Sequence, residues 1–308
     1  MSSSVLLKAS RSPRARKVVT AVPVTRKVVD RFVAGETQDA AIAAVRALKE
    51  RGLLATLDLL GEDTRDEAQA AAIRDGYVSV LRRLGEAGLA GSAEVSLKLS
   101  ALGQALPGGG EQIALANAHT ICDAAAAVGT TVTLDMEDHT TTDSTLYVLK
   151  MLRGDYPWLG AVLQSMLHRT EQDCRELAQP GSRVRLVKGA YAEPAAVAYQ
   201  DKSEVDASYL RCLEILMAGG GYPMVGSHDP RMIAAARAAV AANRRGPDDH
   251  EFQMLFGIRQ DEQLALAQDG QRMRVYVPFG VDWYGYFMRR LAERPANVTF
   301  FLRALVGR

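Results

Sequence analysis

Eight short apolar runs alternate with Ala-rich, helix-patterned segments along most of this 308-residue chain. The runs lie near Leu54–Leu59, Val95–Leu99, Thr131–Asp135, Ala161–Ser165, Val184–Lys188, Met224–Ser227, Phe252–Phe256 and Met273–Val277. Between them the pattern predicts helices over Arg65–Ala87, Glu111–Val128, Asp143–Arg153, Glu171–Leu177, Glu193–Met217, Pro230–Asn243 and Gln260–Gln268. Strand–helix alternation calls for a parallel sheet with right-handed crossovers. Eight such units fit an α/β (βα)8 TIM-like barrel better than an open doubly wound sheet. No GxGxxG follows an early strand, which argues against a dinucleotide-binding sheet. Gly108-Gly109-Gly110 follows no strand and reads as a flexible loop rather than a phosphate cradle.

Upstream of the first run, Val28–Leu48 carries a helical pattern broken at Gly35-Glu36-Thr37. The chain therefore divides into a basic leader with a pre-barrel helix, residues 1–48, and the barrel, residues 49–308. The leader sets Lys8, Arg11, Arg14, Arg16, Lys17, Arg26, Lys27 and Arg31 against one acid, Asp30. Such a segment is expected to be drawn weakly to anionic lipid. Net charge is only +1, so no global field recruits nucleic acid. No uncharged apolar stretch reaches the roughly 18 residues a spanning helix needs. The expectation is a cytoplasmic protein in reversible contact with the inner face of the cell membrane. Cys122, Cys174 and Cys212 form no CxxC and read as small apolar fillers in a reducing compartment.

The polar residues gather where barrel chemistry sits. Lys98, Asp135, Gln164, Arg185, Lys188, His228 and Tyr276 fall at or near strand ends, hence at the C-terminal rim, and Glu62 follows the first run. Cations dominate, so the ligand is expected to be anionic in more than one place. Arg289 and Arg290 close an aromatic-rich helix, and adjacent guanidinium forks match a carboxylate bidentately. There is no GxSxG elbow, no Cys–His pair and no metal set; His139 is expected to point away from Asp135, Glu137 and Asp138. A site with charge and hydroxyls but no evident nucleophile usually serves a cofactor that does the chemistry.

Several of these stretches resemble the flavin-dependent proline dehydrogenases. They are Val184-Arg-Leu-Val-Lys-Gly-Ala-Tyr191 with Glu193-Pro194, and Arg274-Val-Tyr-Val-Pro-Phe-Gly280 running into Tyr286-Phe-Met-Arg-Arg-Leu-Ala-Glu293. Leu57-Asp-Leu-Leu-Gly-Glu62, Ser96-Leu-Lys-Leu-Ser100 and Leu134-Asp-Met-Glu137 fit the family's first three strands. The likeness extends from about Val28 to the C-terminus. It implies oxidation of L-proline to Δ1-pyrroline-5-carboxylate, with FAD as cofactor and a membrane quinone as electron acceptor. The product would pass to a separate pyrroline-5-carboxylate dehydrogenase, since the chain ends one helix after the barrel. By the same resemblance, Arg289, Arg290 and Lys98 hold the carboxylate, and Glu62 pairs with Arg289 over bound substrate. Tyr276, Tyr286, Leu255 and Ala190 wall the ring. Arg185, Gln164, Val162, Lys188 and Gly189 line the flavin, with His228, Glu293, Phe300 and Arg290 completing its shell. Asp135 is a polar partner near the flavin centre. The chain departs from the family pattern at Ala192, where many relatives carry Trp, and in Lys202–Asp206, where many carry Thr before the aspartate. Competing readings are oxidation of 4-hydroxyproline, a folate-reductase-like flavin barrel, and a flavin-free scaffold.

Overall fold

A computed structural model describes residues 29–61 and 64–293. Eight parallel strands close into a barrel in chain order: β1 Leu54–Leu59, β2 Ala93–Leu97, β3 Val132–Leu134, β4 Gly160–Gln164, β5 Arg183–Val187, β6 Tyr222–Gly226, β7 Glu251–Leu255 and β8 Met273–Phe279. Closure is made by β8 pairing with β1 over six residues, Leu54 opposite Arg274 through Leu59 opposite Phe279. The helices are α1 Gln38–Glu50, α2 Glu67–Glu86, α3 Gly110–Val128, α4 Thr142–Leu152, α5 Thr170–Leu177, α6 Lys202–Ala218, α7 Pro230–Ala242, α8 Gln260–Gln268 and α9 Trp283–Glu293. The (βα)8 expectation thus holds, and α1 supplies the helical extension ahead of β1.

Two sequence expectations shift. The sixth helix starts at Lys202, not at Glu193, because Asp201 caps it by accepting from Ser203 N. Residues before the cap are held otherwise: Ala198 bridges Leu167 as a short antiparallel pair, and the Glu193 carboxylate accepts from His139 N at 2.9 Å. His139 therefore points at Glu193, its Nδ1 meeting the same carboxylate. In the glycine run, Gly108 and Gly109 form a turn and only Gly110 departs from the loop expectation. Gly110 opens α3, and a Cβ there would sit 2.4 Å from Gln104 O.

Alternate strand residues divide the chemistry. Ala55, Leu57, Val95 and Leu97 are buried in the core cluster with the helix residues Tyr77, Leu81 and Leu84. Their neighbours in sequence, Thr56, Glu94 and Ser96, bond to one another's surroundings inside the barrel. The lower interior is not the usual stack of branched aliphatics. Arg274 grips Glu251 at 2.7 and 3.1 Å, Arg183 reaches Glu94 at 2.7 Å, and Thr56 donates to Glu94 at 3.0 Å. Burial pushes the Glu94 carboxyl up, but Arg183, Arg274 and Arg185 more than offset it and hold it well below the usual range.

Glu94→Ala leaves those arginines without their shared anion. The expected cost is about 3–5 kcal/mol, as for other broken buried pairs. Because the folded pKa is depressed, this stabilisation is present above the unfolded Glu value near ~4.3 and fades as pH falls below it. Thermal melts of both proteins at neutral pH check the claim; equal melting temperatures refute it.

The end of the barrel sequence is braced by its beginning. Ala34 N donates to Pro278 O and Gly280 N to Gly35 O, both at 2.9 Å. Phe32 meets Phe287 with ring centroids 6.4 Å apart, and Trp283 Nε1 donates to Glu36 at 3.2 Å. Gly257, at φ +72°, lets Arg31 pass so close that a Cβ would lie 1.7 Å from Arg31 O. The segment before α1 thereby fixes α9, the helix that carries the arginine pair.

Candidate active site

A cavity of about 590 Å³ opens at the C-terminal end of the barrel. That is within the usual span for small-ligand and cofactor sites. Every sequence-named candidate among the described residues lines it. From β2 to β4 these are Lys98, Asp135, Val162 and Gln164; from β5 and its loop, Arg185, Lys188, Gly189 and Ala190; then His228, Leu255 and Tyr276, and from α9 Tyr286, Arg289 and Arg290. Glu62 and Phe300 lie outside the described residues, as does the side chain of Glu293.

Depth distinguishes the members. Arg185 and Tyr276 are mid-strand, not at strand ends, so they form the floor rather than the rim. Arg185 is 4% exposed. Its Nε donates to Gln253 at 2.5 Å and its Nη1 to Asp135 at 2.8 Å and to Ser96 at 3.2 Å. Asp135 also accepts from Ser96 at 2.7 Å and from the Tyr276 hydroxyl at 2.6 Å. The Arg185 guanidinium lies 5.3 Å from the Tyr276 ring centre, a cation–π distance. Burial, then the carboxylates of Asp135 and Asp58, keeps the Tyr276 hydroxyl protonated far beyond its ordinary range. It is therefore a fixed donor, not a base.

Beside that floor, Lys98 Nζ donates to Asp58 at 2.8 Å, lies 3.7 Å from Asp135 and reaches the Tyr276 oxygen at 3.5 Å. Its charge is already met twice, a circumstance invisible in the strand-end pattern. On the opposite wall Lys188 is clasped by Asp206 and, at 2.7 Å, by Asp229. Burial raises the Asp229 carboxyl, but the Lys188 bond wins and leaves it well below the carboxylate range. Gln164 donates to Glu137 O at 2.7 Å, which aims its amide across the β4 end. His228 Nε2 accepts from Leu255 N at 2.9 Å, so it also ties the β6 and β7 ends together. On α9, Tyr286 and Arg290 are one turn apart, and the guanidinium lies 5.0 Å from the ring centre.

Several cavity residues escaped the sequence reading, Asp58, Gln253 and Asp229 among them. Asp58 and Gln253 sit inside strands among apolar neighbours, and only strict in–out alternation along β1 and β7 marks them as inward. Among the described residues, no group of three or more His, Cys, Asp or Glu side chains could hold a metal. The donor set suits a different kind of group: a planar, electron-poor heteroaromatic with an anionic tail. Arg185 offers a buried cation whose Nη2 has no hydrogen-bond acceptor among the described residues, Gln164 an amide edge, and Lys188 a cation further out.

Residues 41–303 match the family described as proline dehydrogenase. The proline dehydrogenase of Deinococcus radiodurans is 42% identical over 281 residues, covering 91% of this chain and 90% of the relative. Proline dehydrogenase 1 of Bacillus subtilis is 39% identical over 282 residues, covering 92% of each. Among solved structures, proline utilization A from Bdellovibrio bacteriovorus, inactivated by N-propargylglycine, superimposes with a TM-score of 0.80 at 25% identity. That match covers 87% of this chain and 32% of the other, so the chain spans about a third of that protein's length. The closed barrel, the cavity residues and the near full-length matches agree: the chain belongs to the proline dehydrogenase family.

Proposed function

We propose that this protein oxidises L-proline to Δ1-pyrroline-5-carboxylate with a noncovalently held FAD and passes the electrons to a membrane quinone. The observation that carries the reading is one cavity combining an arginine pair fit for a carboxylate with Gln164, Arg185 and Lys188, fit for a flavin. FAD, when bound, would supply a two-electron acceptor for the hydride leaving proline C5. Arg289 and Arg290 orient the carboxylate. Lys98 adds charge that Asp58 tempers. Tyr286, Leu255 and Ala190 wall the ring and exclude water. Arg185, fixed by Asp135 and Gln253, presents a positive charge to the side where electron density accumulates, which is electrostatic assistance. Val162, Gly189 and His228 complete the flavin wall, with Glu293, Phe300 and Arg290 assigned to its outer shell.

The purified protein is expected to be yellow, and acid precipitation to release the colour into the supernatant. Flavin retained wholly on the precipitate contradicts the noncovalent part. Proline-dependent reduction of a soluble quinone analogue tests the activity. For the quinone acceptor we assign peripheral membrane contact; no described helix is long and apolar enough to cross a membrane. The basic leader that would make the contact lies outside the described residues, apart from Val29, Asp30 and Arg31.

Tyr276 is assigned the wall near ring C4. Tyr276→Ser opens that wall, and a serine hydroxyl is too short to keep the 2.6 Å bond to Asp135. Proline turnover is expected to fall while 4-hydroxyproline turnover rises relative to it. Equal relative losses for both substrates mean that Tyr276 does not discriminate between them.

A further inference from the structure

Asp58 lines the cavity, and its one role above is to temper the charge of Lys98. It is 1% exposed and sits on β1 opposite Pro278. Its Oδ1 accepts from Lys98 Nζ at 2.8 Å, and among the described residues no donor reaches Oδ2. The other carboxylate at this depth, Asp135, is committed: Oδ1 to Ser96 and Arg185, Oδ2 to Tyr276.

Proline arrives near neutral pH as a zwitterion. Once its carboxylate is held by the two arginines, its ring nitrogen is a cation among the cations Lys98, Arg185, Arg289 and Arg290. A cation in such a place needs an anion with a free oxygen. It must also lose a proton, because only a neutral nitrogen has the lone pair that drives hydride off C5.

Resting on the proline-oxidising reading of the site, we infer that Asp58 is the carboxylate that meets the substrate's ring ammonium and takes its proton. One N–H bond breaks, its electron pair stays on nitrogen, and an O–H bond forms at Oδ2. The proton leaves to solvent after the product. Lys98 keeps Oδ1 occupied, so the incoming proton has one oxygen to land on.

The surroundings favour this role. Asp58 is faced by Lys98 from the β2 end, Asp135 from the β3 end, Tyr276 from β8 and Tyr77 from α2. Burial raises its carboxyl, Lys98 pulls it back, and Asp135 raises it again, leaving it above the ordinary aspartate value. A carboxylate so raised is a better base than an exposed one. The sign follows: turnover is lost as pH falls through that elevated value and Asp58 fills with a proton.

The test uses flavin-loaded, full-length protein. It compares wild type with Asp58→Asn for proline kcat/KM across pH. It also measures inhibition by cyclopentanecarboxylate, which keeps ring and carboxylate but has no nitrogen. Asp58→Asn is expected to lower proline kcat/KM by about 10²- to 10⁴-fold at neutral pH, the usual span for a lost general base. The deficit shrinks as alkaline pH supplies proline already deprotonated. Inhibition by the nitrogen-free analogue changes little. Equal weakening of proline and analogue, or a pH profile parallel to wild type, overturns the proposal and leaves Asp58 as a mere anchor for Lys98. If the Asn variant does not load flavin, Asp58→Glu takes its place: its acid limb should move, and an unmoved limb overturns the proposal equally. A wild type that reduces no quinone analogue with proline, while analogue binding still perturbs the flavin spectrum, fails the proline reading itself and not the proton acceptor alone.

Discussion

Asp135→Ala is expected to lower proline kcat/KM by about 10²- to 10³-fold and to loosen the flavin. Three donors converge on this one carboxylate: Ser96 at 2.7 Å, Arg185 at 2.8 Å and Tyr276 at 2.6 Å. Lys98 lies 3.7 Å away. Removing it strands a buried guanidinium and frees the Tyr276 ring, so two walls lose their anchor in one step. Breaking a buried charged pair costs about 3–5 kcal/mol. At about 1.4 kcal/mol per decade, the lower and middle part of that cost gives the stated range. Asp135→Asn should be milder for Tyr276, which keeps an acceptor, but not for Arg185, which loses its charge partner. Kinetics with a quinone analogue and flavin retention through ultrafiltration measure the two effects. A loss below about fivefold in the alanine variant, with flavin retained, would remove Asp135 from the site's electrostatics and put the weight on the remaining Arg185 partners, Gln253 and Ser96.

The same carboxylate shows how far the sequence speaks. Alternating runs and helices made the closed barrel legible, because a parallel sheet covered on both faces leaves few other arrangements. Strand-end position then found Lys98, Gln164 and Lys188 directly. What it could not supply was who holds whom. Asp135 was visible as a polar strand end, but its bonds to Tyr276, 141 residues away, and Arg185, 50 residues away, are set by closure of the barrel. Asp58 was missed for a related reason. In Leu57-Asp58-Leu59 it looks like a lone acid in an apolar strand, and only the in–out alternation of β1 in the closed barrel puts it inside. Helix bounds failed where side chains overrode propensity. Glu193-Pro194-Ala195-Ala196 reads as a good helix start, but Glu193 is drawn to His139 and the cap falls at Asp201. Likewise Lys98 read as an uncompensated cation, since the acids that temper it come from two other strands.

Arg290→Lys and Arg289→Lys are each expected to weaken proline use by about 10- to 150-fold, chiefly through KM. Each charge-assisted bond to a carboxylate is worth about 1.5–3 kcal/mol, and a lysine replaces a two-pronged fork with a single point charge. At Arg290 the change also removes a guanidinium lying 5.0 Å from the Tyr286 ring centre, a cation–π distance. In the proposed pose the arginines hold a carboxylate on C2, which does not take part in breaking the C5–H bond, so they would grip ground state and transition state alike. Loss of such uniform binding raises KM and leaves kcat nearly unchanged. The two substitutions should not be additive, since both forks act on one carboxylate. A fall in kcat at unchanged KM would move the pair from substrate anchoring to the chemical step. Unchanged kcat/KM in Arg290→Lys would mean that the substrate carboxylate is held elsewhere, with Lys98 the next cation to replace.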